Sequence, residues 1–101
     1  MSGLYIGLMS GTSLDGVDAV LVDFDGPQAQ VLGHCSAPLP APLRAELLAL
    51  NSPTDNELHR AALAANGLVR VYAEQVHTLL QHCNVSASAV TAIGAHGQTV
   101  R

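Results

Sequence analysis

One long segment with helical periodicity constrains the fold of this chain more than any other feature of its sequence. Thr54 and Glu57 have the spacing of a capping box, and Asn84 is placed to end the helix. Between them, apolar residues recur every three or four positions, which predicts one continuous buried stripe over about residues 55–83. The members of this stripe are Leu58, Ala62, Ala65, Val69, Tyr72, Val76, Leu79 and Cys83.

Apolar runs typical of β-strands flank this helix. Three precede it, at residues 4–9, 17–24 and 28–35, and a fourth follows at residues 90–95. The first run is apolar enough for a central strand buried on both faces. Asp25-Gly26-Pro27 predicts a turn, so the first three strands are expected to form an antiparallel meander. The helix then serves as a crossover that allows the fourth strand to pair in parallel, and the predicted fold class is α/β.

A proline-rich segment separates the meander from the helices. Pro38, Pro40 and Pro42 interrupt regular structure, and Pro42 is placed to begin a short helix over residues 43–50. No internal repeat or linker divides the chain, and its 101 residues suffice for one modest core.

A turn rich in glycine and hydroxyl groups joins the first two strands. Gly11 and Gly16 allow positive φ, so that successive N–H groups can point into one concavity and hold an anion. Ser10, Thr12 and Ser13 add hydroxyl donors. The turn also carries two carboxylates, Asp15 and Asp18, which would repel bare phosphate but suit a hydrated Mg²⁺ lying between carboxylate and nucleotide. The turn therefore predicts a magnesium–nucleotide site, and a plain β-hairpin is the alternative.

Two other catalytic turns are excluded by the residues of this segment. It lacks the Gly-Lys-Ser/Thr of a Walker A loop. Leu8 and Thr12 flank Ser10 where a nucleophile elbow needs glycines.

Composition excludes several further classes of function. The chain has 4 basic and 8 acidic side chains, a formal charge of −4 and no lysine, so it lacks the basic surface that binds nucleic acid. No apolar run reaches the roughly 18 residues of a membrane span. The N-terminal apolar segment has no preceding basic residue, unlike a secretory signal, and a cytoplasmic location is expected.

Two histidine–cysteine pairs, His34-Cys35 and His82-Cys83, raise the question of a zinc site. Adjacent residues diverge on a strand or a helix, so neither pair converges easily on one tetrahedral ion. Buried, reduced thiols are the favoured interpretation.

A second glycine-rich motif, Gly94-Ala95-His96-Gly97-Gln98-Thr99, follows the fourth strand. Ligands gather at the carboxyl ends of strands in open α/β sheets, and the first turn leaves such an end too. If the first and fourth strands are parallel, the two motifs share one edge of the sheet. His96 and Gln98 offer donors and acceptors suited to sugar hydroxyls, although a histidine in such a loop is often structural.

Together, these motifs resemble those of the 1,6-anhydro-N-acetylmuramic acid kinases of bacterial cell-wall recycling. The resemblance rests on the run from Gly7 to Asp18 and on Ile93-Gly94-Ala95-His96-Gly97-Gln98-Thr99-Val100-Arg101. It implies a ribonuclease-H-like partial domain, with residues 1–101 forming the N-terminal part of the first of two actin-like domains. The second domain, which is absent from this chain, and a general base beyond Arg101 would complete the enzyme.

The resemblance also implies an activity and its site. The kinase would use ATP and Mg²⁺, open the anhydro bond with water and phosphorylate the 6-oxygen, and the intact protein would form a homodimer. The nucleotide would bind at Gly11, Thr12, Ser13, Leu14, Asp15, Gly16, Val17 and Asp18, with magnesium held through water, and the sugar at His96, Gly97 and Gln98. Another sugar kinase or phosphatase of the same superfamily, or a non-catalytic nucleotide- or sugar-binding module, are the alternatives. The 101-residue chain alone is expected to be inactive.

Overall fold

The computed structural model describes residues 3–10, 14 and 16–98, and among these residues no helix is both long and apolar enough to span a membrane. The order of elements confirms the predicted α/β class. The elements are β1 (Leu4–Ser10), β2 (Val17–Asp23), β3 (Gln30–Ala37), α1 (Ala41–Ala49), α2 (Glu57–Cys83), the 3-10 turn Ala87–Ala89 and β4 (Val90–Ala95).

The four strands form one mixed sheet in the order β3-β2-β1-β4. β1 pairs antiparallel with β2, with Ser10 opposite Val17, and β2 pairs antiparallel with β3. β4 returns beside β1 in parallel, with Leu8 opposite Ala95. The predicted meander and the parallel fourth strand are confirmed, and β1 lies in the interior of the sheet.

The core lies on one face of this sheet. Ile6 and Leu8 of β1 join Val17, Ala19 and Leu21 of β2 and the apolar side chains of both helices in a single buried cluster. The alternate positions of β1 point to the other face, where Met9 is 52% exposed. The prediction that β1 is buried on both faces is therefore wrong for this chain, because its helices cover the same side.

The apolar stripe of α2 differs from the prediction in its first half. Tyr72 and Leu79 are buried as predicted, whereas Leu58 is 91% exposed and Val69 also faces solvent. The residues that are buried on α2 are Ala64, Leu68, Val71, Tyr72, Gln75, Leu79 and Leu80. The first half of α2 turns toward α1 at Gly67, where an added Cβ would lie 3.2 Å from Leu43, and this contact selects a neighbouring face.

The predicted capping box at the start of α2 is wrong. Asn56, in the left-handed conformation with φ 54°, is the N-cap and makes no side-chain cap bond. Thr54 instead accepts a hydrogen bond from the Arg60 guanidinium at 2.6 Å. At the other end, Asn84 with φ 53° ends the helix as predicted, and the next amide, Val85, donates to the Leu80 carbonyl.

Other boundaries shift by one or two residues. α1 begins at Ala41, so that Pro42 lies within its first turn. β2 ends at Asp23, and β3 begins only at Gln30. The Asp23 carboxylate accepts the Asp25 amide at 2.8 Å, and this bond starts the turn before Phe24 can extend the strand.

The histidine and cysteine of β3 point to opposite faces, as the argument against a zinc site requires. His34 contacts Asp18 on the open face, while the Cys35 thiol donates to the Gln75 side chain of α2 at 3.2 Å. Cys35 and Cys83 are free thiols, as predicted. They are only half-buried, whereas full burial was predicted. Burial, with the neighbouring Cys83, raises the pKa of Cys35, which keeps its thiol protonated.

Candidate functional site

Between Ser10 and Gly16, Leu14 is the residue that the structure describes. Gly11, Thr12, Ser13 and Asp15 lie outside the described residues, so their predicted roles stay predictions. Leu14, with φ 59°, is 1% exposed and belongs to the core. Its carbonyl accepts a hydrogen bond from Arg44 of α1 at 3.1 Å. Leu14 is thus tied to both the core and α1.

Gly16 is required by space and not by its backbone angles. None of the described glycines has positive φ, so the predicted reason for this glycine is wrong. A Cβ at Gly16 would lie 2.6 Å from the carbonyl oxygen of Ala37, at the end of β3. The backbones of Gly16 and Ala37 therefore lie close together. The next residue, Val17, is fully buried and begins β2.

Asp18 lies on the open face of β2 and is held by two side chains of β3. Ser36 donates its hydroxyl to Oδ1 of Asp18, and His34 Nε2 lies 3.3 Å from the same oxygen. The Ser36 hydrogen bond, followed by that of His34, lowers the pKa of Asp18 below its ordinary 3.8. The carboxylate is therefore ionised at neutral pH, with both contacts on one of its oxygens, and its position suits a water-mediated contact to a cation.

The glycine-rich motif after β4 lies beside the end of β1, because β1 and β4 are parallel as predicted. The His96 amide continues the ladder by donating to the Leu8 carbonyl at 2.9 Å. The Gln98 side-chain amide donates to both the carbonyl and the hydroxyl of Ser10, the last residue of β1. The 96–98 loop and the end of β1 are thus in direct contact.

Grooves open on both sides of this contact. On the open face of the sheet, a groove of about 570 Å³ is lined by Asp18 and His96 together with β1 and β4. On the helix side, a groove of about 470 Å³ lies between α2 and the 96–98 loop, with Tyr72 and Gln98 in its wall. The first groove brings one residue of each motif to the same surface.

Two further residues support the site and were missed by sequence reasoning. Tyr72 is core, as its place in the helical stripe indicated, but its hydroxyl contacts both Ser10 and the 96–98 loop. A buried tyrosine usually finds a partner for its hydroxyl, and this was the available signal. Arg44 gave no signal, because its contact is to a backbone carbonyl distant in sequence.

Comparison with known proteins covers almost the whole chain. Residues 3–101 match the family model described as anhydro-N-acetylmuramic acid kinase. Proteins of that name are 69% identical over 101 residues in Albidiferax ferrireducens, 63% over 98 in Variovorax paradoxus and 60% over 100 in Cupriavidus metallidurans. These alignments cover 97–100% of the chain and 26% of each relative, so the chain spans about a quarter of their length. The chain belongs to the anhydro-N-acetylmuramic acid kinase family.

Proposed function

We propose that the full-length protein containing this chain is an ATP-dependent kinase of 1,6-anhydro-N-acetylmuramic acid. In the proposed reaction, water adds at the anomeric carbon, the bond from that carbon to the 6-oxygen breaks, and the 6-oxygen takes the γ-phosphoryl group while ADP leaves. The observation that carries the proposal is the contact between Gln98 and Ser10, which joins the loop after β4 to the end of β1 at one edge of the sheet. The family match over residues 3–101 supports the choice of sugar.

The nucleotide side of the proposal uses residues 11–18. Phosphoryl transfer depends mainly on positioning and on stabilising charge, so the turn would hold the β- and γ-phosphates through its N–H and hydroxyl groups. Asp18 supports a role for magnesium, since its carboxylate is ionised and exposed, and Mg²⁺ favours oxygen ligands and retained waters. Asp15 would share this role.

The sugar side uses His96, Gly97 and Gln98. The exposed His96 lines the open-face groove that also holds Asp18, which supports an acceptor hydroxyl lying between loop and phosphate turn. We assign residues 1–101 to the first actin-like domain and the general base to the remainder of the protein. ATP supply favours the cytoplasm as the place of reaction. The homodimer that the resemblance implies stays a prediction.

The test is turnover by the full-length protein with ATP and the anhydro sugar. A product heavier than the substrate by one water and one phosphoryl group supports the proposal, and oxygen-18 from labelled water should appear at the anomeric carbon. Phosphorylation of an ordinary hexose alone would favour another kinase of the superfamily. Binding of ATP or sugar without turnover would favour a non-catalytic module.

Gly11→Val tests the phosphate turn within that assay. The added side chain should abolish turnover and leave the circular dichroism near that of the wild type. Gly26→Val is the matched control, since the nearest atom to an added Cβ at Gly26 is 3.8 Å away in an exposed turn. Normal activity of Gly11→Val would reject the phosphate cradle.

His96→Ala tests the sugar side. Loss of one hydrogen bond to a neutral sugar hydroxyl is worth about 0.5–1.5 kcal/mol, so the KM for the sugar should rise about 2- to 12-fold. The KM for ATP should stay near that of the wild type. A change confined to ATP would move the loop to the nucleotide side, and no change in either KM would make His96 structural.

A further inference from the structure

A relay of side-chain hydrogen bonds runs through the interior between the two motifs. The Tyr72 hydroxyl donates to the His96 carbonyl at 2.6 Å. Because a phenol has one proton, the Ser10 hydroxyl, 2.9 Å away, must donate to the Tyr72 oxygen. The Gln98 amide donates in turn to the Ser10 hydroxyl. The relay therefore starts at Gln98, passes through Ser10 and Tyr72, and ends at His96.

Both ends of this relay lie on the 96–98 loop, and its middle lies in rigid structure. Ser10 is 1% exposed and is held by the pairing of β1 with β2, while Tyr72 is 6% exposed in the middle of α2. The Ser10 hydroxyl is buried and donates to Tyr72, so the prediction that it donates to an anion in the turn is wrong. The loop itself has no regular secondary structure. Since hydrogen bonds in a series polarise one another and are strong where water is excluded, the relay helps to fix this loop, together with the bond from the His96 amide to the Leu8 carbonyl.

We infer that Tyr72 is a positioning residue, whose hydroxyl sets the 96–98 loop against Ser10 at the end of β1 for binding of the sugar. The inference rests on the proposed function, because it takes the loop as the sugar side of the site. Tyr72 acts indirectly, through its hydrogen bonds with the His96 carbonyl and the Ser10 hydroxyl. Its removal should therefore disturb the loop more than Leu14, which is held separately by its burial and by the hydrogen bond from Arg44.

The experiment compares Tyr72→Phe with wild type in the full-length protein. Phenylalanine keeps the ring in the core and removes only the hydroxyl. We expect the KM for the anhydro sugar to rise about 3- to 10-fold and that for ATP by less than about twofold. Tyr5→Phe is the matched control, because the Tyr5 ring packs against Phe24 near the start of β1, away from the relay.

Ser10→Ala interrupts the same relay from the strand side and serves if Tyr72→Phe fails to fold. It should likewise raise the KM for the sugar and leave the KM for ATP almost unchanged. In the double variant, the KM for the sugar should be close to that of the more affected single variant, because both changes break one relay. Equal increases in both KM values, a change in ATP alone, no change, or additive losses would each overturn the inference.

Hydrogen exchange separates this inference from the proposed function. Amides of residues 96–98 should exchange faster in Tyr72→Phe than in wild type or Tyr5→Phe, whatever the substrate. If the wild-type protein does not phosphorylate the anhydro sugar, the proposed function fails, and so does the sugar role of Tyr72. Unchanged exchange in that loop would show that Tyr72 does not position it and would overturn the inference on its own.

Discussion

At the scale of single residues, Gly16 matters because of what lies next to it. The carbonyl oxygen of Ala37 occupies the place where a side chain would begin, 2.6 Å from an ideal Cβ. The obstructing atom belongs to the backbone at the end of β3, which is less free to move than the end of a side chain. The start of β2 and the end of β3 can therefore meet only if residue 16 has no side chain.

Gly16→Ala should consequently destabilise the protein by about 1–3 kcal/mol, the usual cost of forcing an extra methyl into a tight contact. Urea unfolding of the full-length variant measures the loss. Gly26→Ala, where the nearest atom is 3.8 Å away, is the control and should unfold near the wild-type midpoint. Equal stability of the two variants would show that the backbones separate at little cost.

The pKa of Asp18 makes a second prediction at this scale. Its folded value is lowered, so the carboxylate stabilises the fold above its ordinary pKa of 3.8, and that contribution is lost as the pH falls through the lower folded value. Because the Ser36 hydrogen bond is the larger cause, Ser36→Ala should raise the pKa of Asp18 more than His34→Gln does. Carbon-13 NMR titration of the Asp18 carboxyl measures both, and the reverse order would contradict the structure.

At the scale of elements, α1 depends on its neighbours more than on its own sequence. This helix has nine residues, no side-chain cap and no acidic residue in its first turn, and isolated helices of that length are marginal in water. Leu47 is buried in the common core, and Glu46 accepts a two-pronged ion pair from Arg60 of α2. The same guanidinium holds Thr54 and the Asp55 carbonyl in the connection between the helices.

Arg60→Lys should therefore loosen α1 even though the charge is kept, because an ammonium group cannot make the two parallel bonds of a guanidinium. Hydrogen exchange of the α1 amides should become faster than in the wild type. Arg70→Lys, on the exposed side of the same helix, is the control and should leave exchange unchanged. If the α1 amides exchange at the same rate in both variants, the ion pair does not hold the helix.

At the scale of the whole molecule, both helices of the described residues cover the same side of the sheet. The open face carries Met9 beside the groove of about 570 Å³, and β3 and β4 form the two edges of the sheet. Exposed apolar surface and unpaired strand edges both favour association with other chains.

The 101-residue chain, expressed alone, should therefore self-associate and show no kinase activity, with at most weak binding of ATP. Sedimentation at several concentrations measures the association, and turnover of ATP with the anhydro sugar measures the activity. The full-length protein is the positive control for turnover. A monodisperse monomer that phosphorylates the sugar would contradict this expectation.

The strands could be predicted from the sequence better than the buried face of α2 or the side-chain contacts of the site. Apolar runs and turn residues identified all four strands, and the helical crossover before Val90 led to the prediction of a parallel return. The first half of the α2 stripe was wrong, because the contact of Gly67 with Leu43 selects a face that periodicity alone cannot identify. The proximity of the two site motifs followed from topology, whereas the Tyr72 relay depends on side-chain geometry between distant segments.

The parallel pairing of β1 with β4 has a consequence for the time course of folding. β1, β2 and β3 are joined by short turns, but the partners Ser10 and Gln98 are 88 positions apart in the chain. Loop-closure entropy and contact order make such a distant pairing slower than the hairpins. On the ribosome, the meander that carries the phosphate turn can form while β4 is still being made. The proposed nucleotide side of the site should thus form before the 96–98 loop, and the two sides meet only when β4 docks.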